Sequence, residues 1–155
     1  MIRRINPRVA DNAFRWDERS EAVVLSILRE VQSAHKIDPR RIYLAGSSQG
    51  AYFAYTMGMH SPDLFRAVLA VGGLYPAQLE YNFPEAKKYG LGVFILQGAQ
   101  DTETRAGART AAQKMKEAGV PHEMYEHSGA REVSREEWPV IRKMLGDFLD
   151  RLGGA

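Results

Sequence analysis

A parallel α/β sheet with flanking helices is the fold class this sequence predicts, and three observations predict it. Short apolar runs without strict alternation recur at Ile42–Ala45, Ala67–Val71 and Val93–Leu96, as in strands buried on both faces. Stretches with apolar residues at helical spacing separate these runs. The resulting alternation of helix and strand from Glu18 to Leu152 is that of βαβ units with right-handed crossovers, a class that gathers ligands above the carboxyl ends of its strands.

Residues 1–16 carry Pro7, Asp11 and Asn12 without sustained periodicity and read as an irregular arm, which leaves 17–155 as one partial domain. Asp17 is placed to cap a helix over Glu18–Ala34, on which Ala22, Val23, Ile27 and Val31 form an apolar stripe widened by Val24 and Leu28. Pro39 disfavours helix at Asp38, so Ile37–Arg40 is a turn into the first strand, Ile42–Ala45. Gly46-Ser47-Ser48-Gln49-Gly50 reads as the turn after it, and Tyr52, Phe53, Tyr55, Thr56 and Met59 as the helix that leaves that turn. Ser61-Pro62-Asp63 interrupts the pattern, and a short helical turn over Asp63–Phe65 leads into Ala67–Val71. Leu74–Tyr89, punctuated by Pro76, Asn82 and Pro84, is expected to be a loop with a short helix at Pro84–Lys88. After Val93–Leu96, Ala108, Ala111, Ala112 and Met115 line a helix that Gly119 ends. Pro121–Glu126 is more polar, as suits a sheet edge. Ser134 and Glu137 fit a capping box for a last helix whose buried stripe runs through Trp138, Ile141, Leu145, Phe148, Leu149 and Leu152.

Composition removes several function classes. With 45% hydrophobic and 26% charged residues, the chain has the make-up of a soluble globular protein, and no apolar run approaches the length of a membrane span. The basic residues Arg3, Arg4, Arg8 and Arg15 are neither interleaved with aromatics nor set on one recognition helix, so no nucleic-acid partner is expected at a net charge of +2. Zero cysteines exclude thiol catalysis, and no secretory leader is recognised, which gives a cytoplasmic expectation. The four histidines show no metal-ligand spacing, and glycine-rich phosphate loops are lacking, so neither metal nor cofactor is expected.

The chemistry-bearing residues fall in the turns after strands. Ser48 sits in a G-x-S-x-G turn between a strand and a helix, where small neighbours permit a sharp reversal that leaves the hydroxyl proud of the sheet. The third strand ends in Gln97-Gly98-Ala99-Gln100-Asp101, and the fourth in His127-Ser128-Gly129-Ala130-Arg131. A serine nucleophile needs a base within hydrogen-bond reach and an acid that orients the base, and nucleophile, acid, late residue is the α/β-hydrolase chain order. Asp101 also stands where it can cap the helix that follows Thr102–Thr104.

These segments, together with Asp38-Pro39-Arg40, resemble the carboxyl-terminal half of an α/β-hydrolase. They are most similar to the esterase branch that includes phospholipase/carboxylesterase and depolymerase-type enzymes. The resemblance implies hydrolysis of small carboxylic esters through an acyl-enzyme, with Ser48 as nucleophile, the Gln49 amide as oxyanion donor and Asp101 as acid. Gln97 stands where this branch often has histidine, and Arg131 where its catalytic histidine is expected. Arginine, with a pKa above about 12, accepts no proton. His127 is the remaining base on this chain, but it lies four residues earlier, up to roughly 13 Å along extended backbone, and serves only if its loop folds back. Otherwise it is an ordinary strand-end histidine. Tyr75, in an apolar loop over Gly73–Tyr89, and Arg131 are candidate substrate contacts; for Arg131 the alternative is a surface ion pair with Glu132 or Glu136.

The family's earlier strands and its other oxyanion loop have no counterpart in this chain, so a truncated α/β-hydrolase-like domain is expected. Its first strand then needs cover from the amino-terminal arm, from a second copy in a homodimer, or from a separate amino-terminal partner segment. The competing function is a catalytically impaired hydrolase-like scaffold acting in binding or assembly.

Overall fold

The computed structural model describes residues 18–153, and the irregular arm expected over 1–16 lies outside the described residues, as does Asp17. The chain divides into two compact units at Asp38/Pro39. Within the first, α1 spans Glu18–Ala34, the bounds expected from its apolar stripe.

The second unit holds a four-stranded, wholly parallel sheet in the order β1-β2-β3-β4: Tyr43–Ser47, Ala67–Val71, Gly92–Gly98 and His122–His127. The helices are α2 (Gln49–His60), α3 (Phe83–Tyr89), α4 (Arg105–Ala118) and α5 (Trp138–Gly153), with 3-10 turns at Pro39–Arg41 and Ala77–Asn82. A sheet that advances in one direction through right-handed crossovers carries its connecting helices on one face. The last helix must then cover the other.

Alternation along the strands shows both faces. Ala67, Phe94 and Leu96 pack with Ile141, Phe148 and Leu152 of α5, where the Phe94 and Phe148 rings lie 5.8 Å apart. Val68, Val93 and Ile95 point the opposite way, and Gly58 of α2 rests directly on Val68. Each buried Val, Leu, Ile or Phe among them contributes about 1.5–3 kcal/mol. β3 is buried along its whole length, whereas β4 is half-buried, as its polar sequence and edge position require.

Several boundaries differ from the sequence expectation. β1 runs two residues beyond Ala45, because Gly46 and Ser47 stay in register with Ala70 and Val71, so the reversal falls on Ser48 alone. β3 likewise extends through Gln97 and Gly98 by pairing with Glu126 and His127. The helical turn expected at Asp63–Phe65 is a simple turn closed by Leu64 N–H on Ser61 O, and the loop after β2 adds the 3-10 turn Ala77–Asn82 to the short helix expected at Pro84–Lys88, which is α3. At α5, the Glu137 carboxylate accepts from Ser134 Oγ at 3.0 Å and also takes Ser128 N–H and Oγ. Those donors, the Ser128 amide first, hold Glu137 below the usual carboxylate range.

Glu126 pins β4 to α4. Its carboxylate takes Arg109 Nε at 2.6 Å and Nη2 at 2.5 Å, and Arg105 Nε at 3.2 Å. Arg109 above all brings its pKa down from 4.5 to about 2. A depressed carboxylate stabilises the fold above its unfolded pKa and loses that contribution as pH falls through the folded one. Between pH 4.5 and about 2, Glu126→Gln is therefore expected to flatten the decline of the melting temperature, as read by thermal scans across that window.

Candidate active site

The candidate residues lie at the carboxyl ends of β1, β3 and β4. Ser48 joins β1 to α2 with φ 54° and ψ −119°, and among the described residues no other non-glycine has positive φ. Its N–H donates to Val71 O at 2.9 Å, which anchors the reversal to β2, and its carbonyl accepts from Ala51 N–H at 3.0 Å. The side chain is exposed and makes no capping hydrogen bond, so the hydroxyl is held outward by strained backbone. Gln49 follows as the first helical residue, where an amide has no intrahelical acceptor, and among the described residues its N–H finds no backbone partner. The motif's glycines are not equivalent: a Cβ at Gly46 would lie 1.9 Å from Gly50 O, while one at Gly50 would meet nothing within 4 Å.

Asp101 ends the turn after β3 and is buried. Oδ1 accepts from Glu103 N–H at 3.0 Å and Thr104 N–H at 3.2 Å, and Oδ2 from Thr104 Oγ1 at 2.7 Å. These bonds, the Thr104 hydroxyl first, hold its carboxyl below the usual range. Asp101 thus organises the turn that opens α4, and Arg105 N–H closes on its carbonyl at 3.2 Å.

His127 ends β4 with 2% of its surface exposed, and its Nδ1 is buried without a hydrogen-bond partner, facing the Gly129 backbone. In the sheet's unit the other histidines, His60 closing α2 and His122 opening β4, lie at the opposite ends of the strands. The strand order sets the Asp101 and His127 turns side by side on β3 and β4, with Ser48 on β1: at about 4.8 Å per strand, the end of β1 is roughly 10 Å from that of β3 and roughly 14 Å from that of β4.

Beyond the strands the β3 and β4 turns are laced by Ala99 N–H to His127 O at 2.8 Å, Gln100 N–H to Gly129 O at 3.1 Å and Gln100 Nε2 to Ser128 O at 2.8 Å. Arg131 Nη2 reaches Glu103 Oε2 at 2.9 Å, across the same seam, rather than the sequence neighbours Glu132 and Glu136. That pair is exposed, and the seam's hydrogen bonds set where it forms. Tyr75 stacks edge-on against the buried Tyr55, ring centroids 5.1 Å apart, with its hydroxyl buried and unpartnered; burial pushes both phenols up. Sequence reasoning missed Thr104 and Ser128. The Asp-x-x-Thr spacing at 101–104 is the signal that finds the first, since a short hydroxyl three residues on can turn back to the carboxylate.

The model of the prolyl oligopeptidase family matches residues 14–118, more than half of the chain. No curated protein matches it. Among solved structures, SOBER1 of Arabidopsis thaliana is similar at 20% identity and a TM-score of 0.66 over 84% of this chain and 63% of that one. A thermostable esterase aligns at 21% and 0.68 over 92% and 39%. The Bacillus cereus carboxylesterase aligns at 18% and 0.65 over 92% and 67%. These likenesses show the fold alone, and the chain spans less than two thirds of the length of the first two.

Proposed function

The chain belongs to the prolyl oligopeptidase family, and from that membership we propose that it hydrolyses carboxylic esters through an acyl-enzyme on Ser48. The observation that carries this reading is the positive φ of an exposed serine at a strand-to-helix reversal, a strain of about 1–3 kcal/mol that the fold has no need of unless the hydroxyl is used. Ser48 Oγ adds to the ester carbonyl carbon, its proton passes to the base, and the Gln49 amide donates to the oxyanion. The C–O bond to the alcohol breaks, the alcohol leaves with that proton, and water releases the acid. Asp101 supplies the acid. His127 is the base once residues 128–131 let go of the β3 turn, and Arg131 and Tyr75 flank the substrate.

Esters are favoured over peptides because an amine must be protonated to leave, whereas an activated alcohol departs with less help from a base. One observation favours a second reading, a catalytically impaired scaffold: the laced turns hold His127 at the end of β4.

Fluorophosphonate labelling and p-nitrophenyl ester turnover, compared with Ser48→Ala, separate the two. Ser48-dependent labelling with turnover is the expected result; labelling equal in both proteins, or absent from both, supports the scaffold and ends the hydrolase reading. Arg131→His is expected to raise turnover at least tenfold, because it puts a neutral proton acceptor beside the Asp101 turn, and a general base contributes typically 10²–10⁴-fold. Turnover unchanged by that variant would mean residue 131 does not approach the reacting atoms.

A further inference from the structure

A turn that opens a helix needs only the bonds on Asp101 Oδ1. The structure provides a second set, on Oδ2, and backs it with a buried amide. Thr104 is 7% exposed and Gln97 1% exposed, and a polar side chain so buried costs free energy unless it is hydrogen-bonded. A hydroxyl has one proton to give. Thr104 Oγ1 is 2.7 Å from Asp101 Oδ2 and 3.3 Å from Gln97 Oε1, so its proton goes to the carboxylate, the nearer and charged acceptor. Gln97 Nε2, 3.0 Å from the same hydroxyl, then donates to it. The bonds run one way, from amide to hydroxyl to carboxylate, and each donor polarises the next. Such a chain fixes the carboxylate's rotation about its Cβ–Cγ bond, keeps it ionised, and leaves room on Oδ2 for one more donor.

We propose that Thr104, backed by Gln97, is a positioning residue that sets the Asp101 carboxylate for proton transfer at Ser48. This deepens the hydrolase reading and rests on it. Capping accounts for Oδ1 and leaves the Gln97–Thr104 pair idle; positioning accounts for both oxygens.

The test compares Thr104→Val, which keeps the shape and removes the hydroxyl, with Thr104→Ser, which restores it. Two quantities are read in the full chain: the titration of the Asp101 carboxyl by NMR, and the second-order rate of fluorophosphonate labelling of Ser48 as a function of pH. Valine is expected to raise the Asp101 midpoint by about one pH unit, since a hydrogen bond to a charged group is of that size. It should also slow labelling at least tenfold and move the acid limb of its pH profile upward; serine should recover both within about twofold. If the midpoint moves and labelling does not, Asp101 is a cap and the proposal is wrong. If neither moves in a folded valine variant, the hydroxyl does not hold the carboxylate, and the proposal is again wrong. Should valine prevent folding, Gln97→Leu removes the amide behind the hydroxyl and must shift both readouts in the same direction. An unlabelled wild-type protein overturns the Ser48 reading and this one's catalytic half together, while the carboxyl titration separately decides whether Thr104 orients Asp101.

Discussion

Gly46→Ala is expected to lower the melting temperature by about 10 °C, whereas Gly50→Ala in the same motif is expected to raise it slightly. The added methyl at position 46 would stand 1.9 Å from Gly50 O and 2.2 Å from Gly50 C. Both are backbone atoms in the first turn of α2, a helix whose Ala51, Ala54 and Tyr55 are buried, so neither strand nor helix can yield cheaply. Overpacking typically costs 1–3 kcal/mol, and a backbone collision lies at or above the upper end; at about 2–4 °C per kcal/mol for a chain of this size the shift follows. At position 50 the methyl meets nothing, and alanine in place of glycine in a helix gains about 0.5–1 kcal/mol. Thermal denaturation of the two variants decides the matter. Equal shifts would mean the chain does not reverse at Ser48 as described.

Ser48→Gly is expected to make the protein more stable by about 1 kcal/mol and to abolish fluorophosphonate labelling and ester turnover, a loss of at least a thousandfold. Glycine occupies φ 54° without steric penalty, so the strain leaves with the side chain. Ser48→Ala removes the hydroxyl and keeps the Cβ, so it should match glycine in lost labelling and fall below it in stability. A stability gain that accompanies loss of the reacting group is the pattern of a site maintained at the expense of the fold. Denaturant titration beside the labelling assay reads both; a glycine variant no more stable than alanine would remove the strain from the account.

Much of the fold was legible in the sequence because parallel strands buried on both faces leave a local mark. Ala67–Val71 is apolar throughout, and its bounds hold to the residue. Ile42–Ala45 began one residue before the strand and ended two short of it, since glycine and serine carry no strand signal and only the register with Ala70 and Val71 keeps them extended. The short helix read over Pro84–Lys88 is α3, with Pro84 in its first turn where a missing N–H costs nothing, whereas the 3-10 turn Ala77–Asn82 before it left no periodic signal. The motif placed Ser48 at a strand-to-helix reversal and the turn chemistry placed Asp101 at the opening of α4, where the structure has them. The company Asp101 keeps was not legible in full: the Gln97 contact with Thr104 depends on how β3 turns into α4, and the Arg131 contact with Glu103 joins residues 28 apart along the chain.

The rungs from Ala99 and Gln100 to His127 and Gly129 continue the β3–β4 ladder past the last paired residues of the sheet. Amide hydrogens held there meet solvent only when the two turns part, so Ala99 and Gln100 should exchange with deuterium at one shared rate. The parting that bares them also frees His127, which makes the isotope clock at those two amides a direct count of how often this chain visits the shape its chemistry would require.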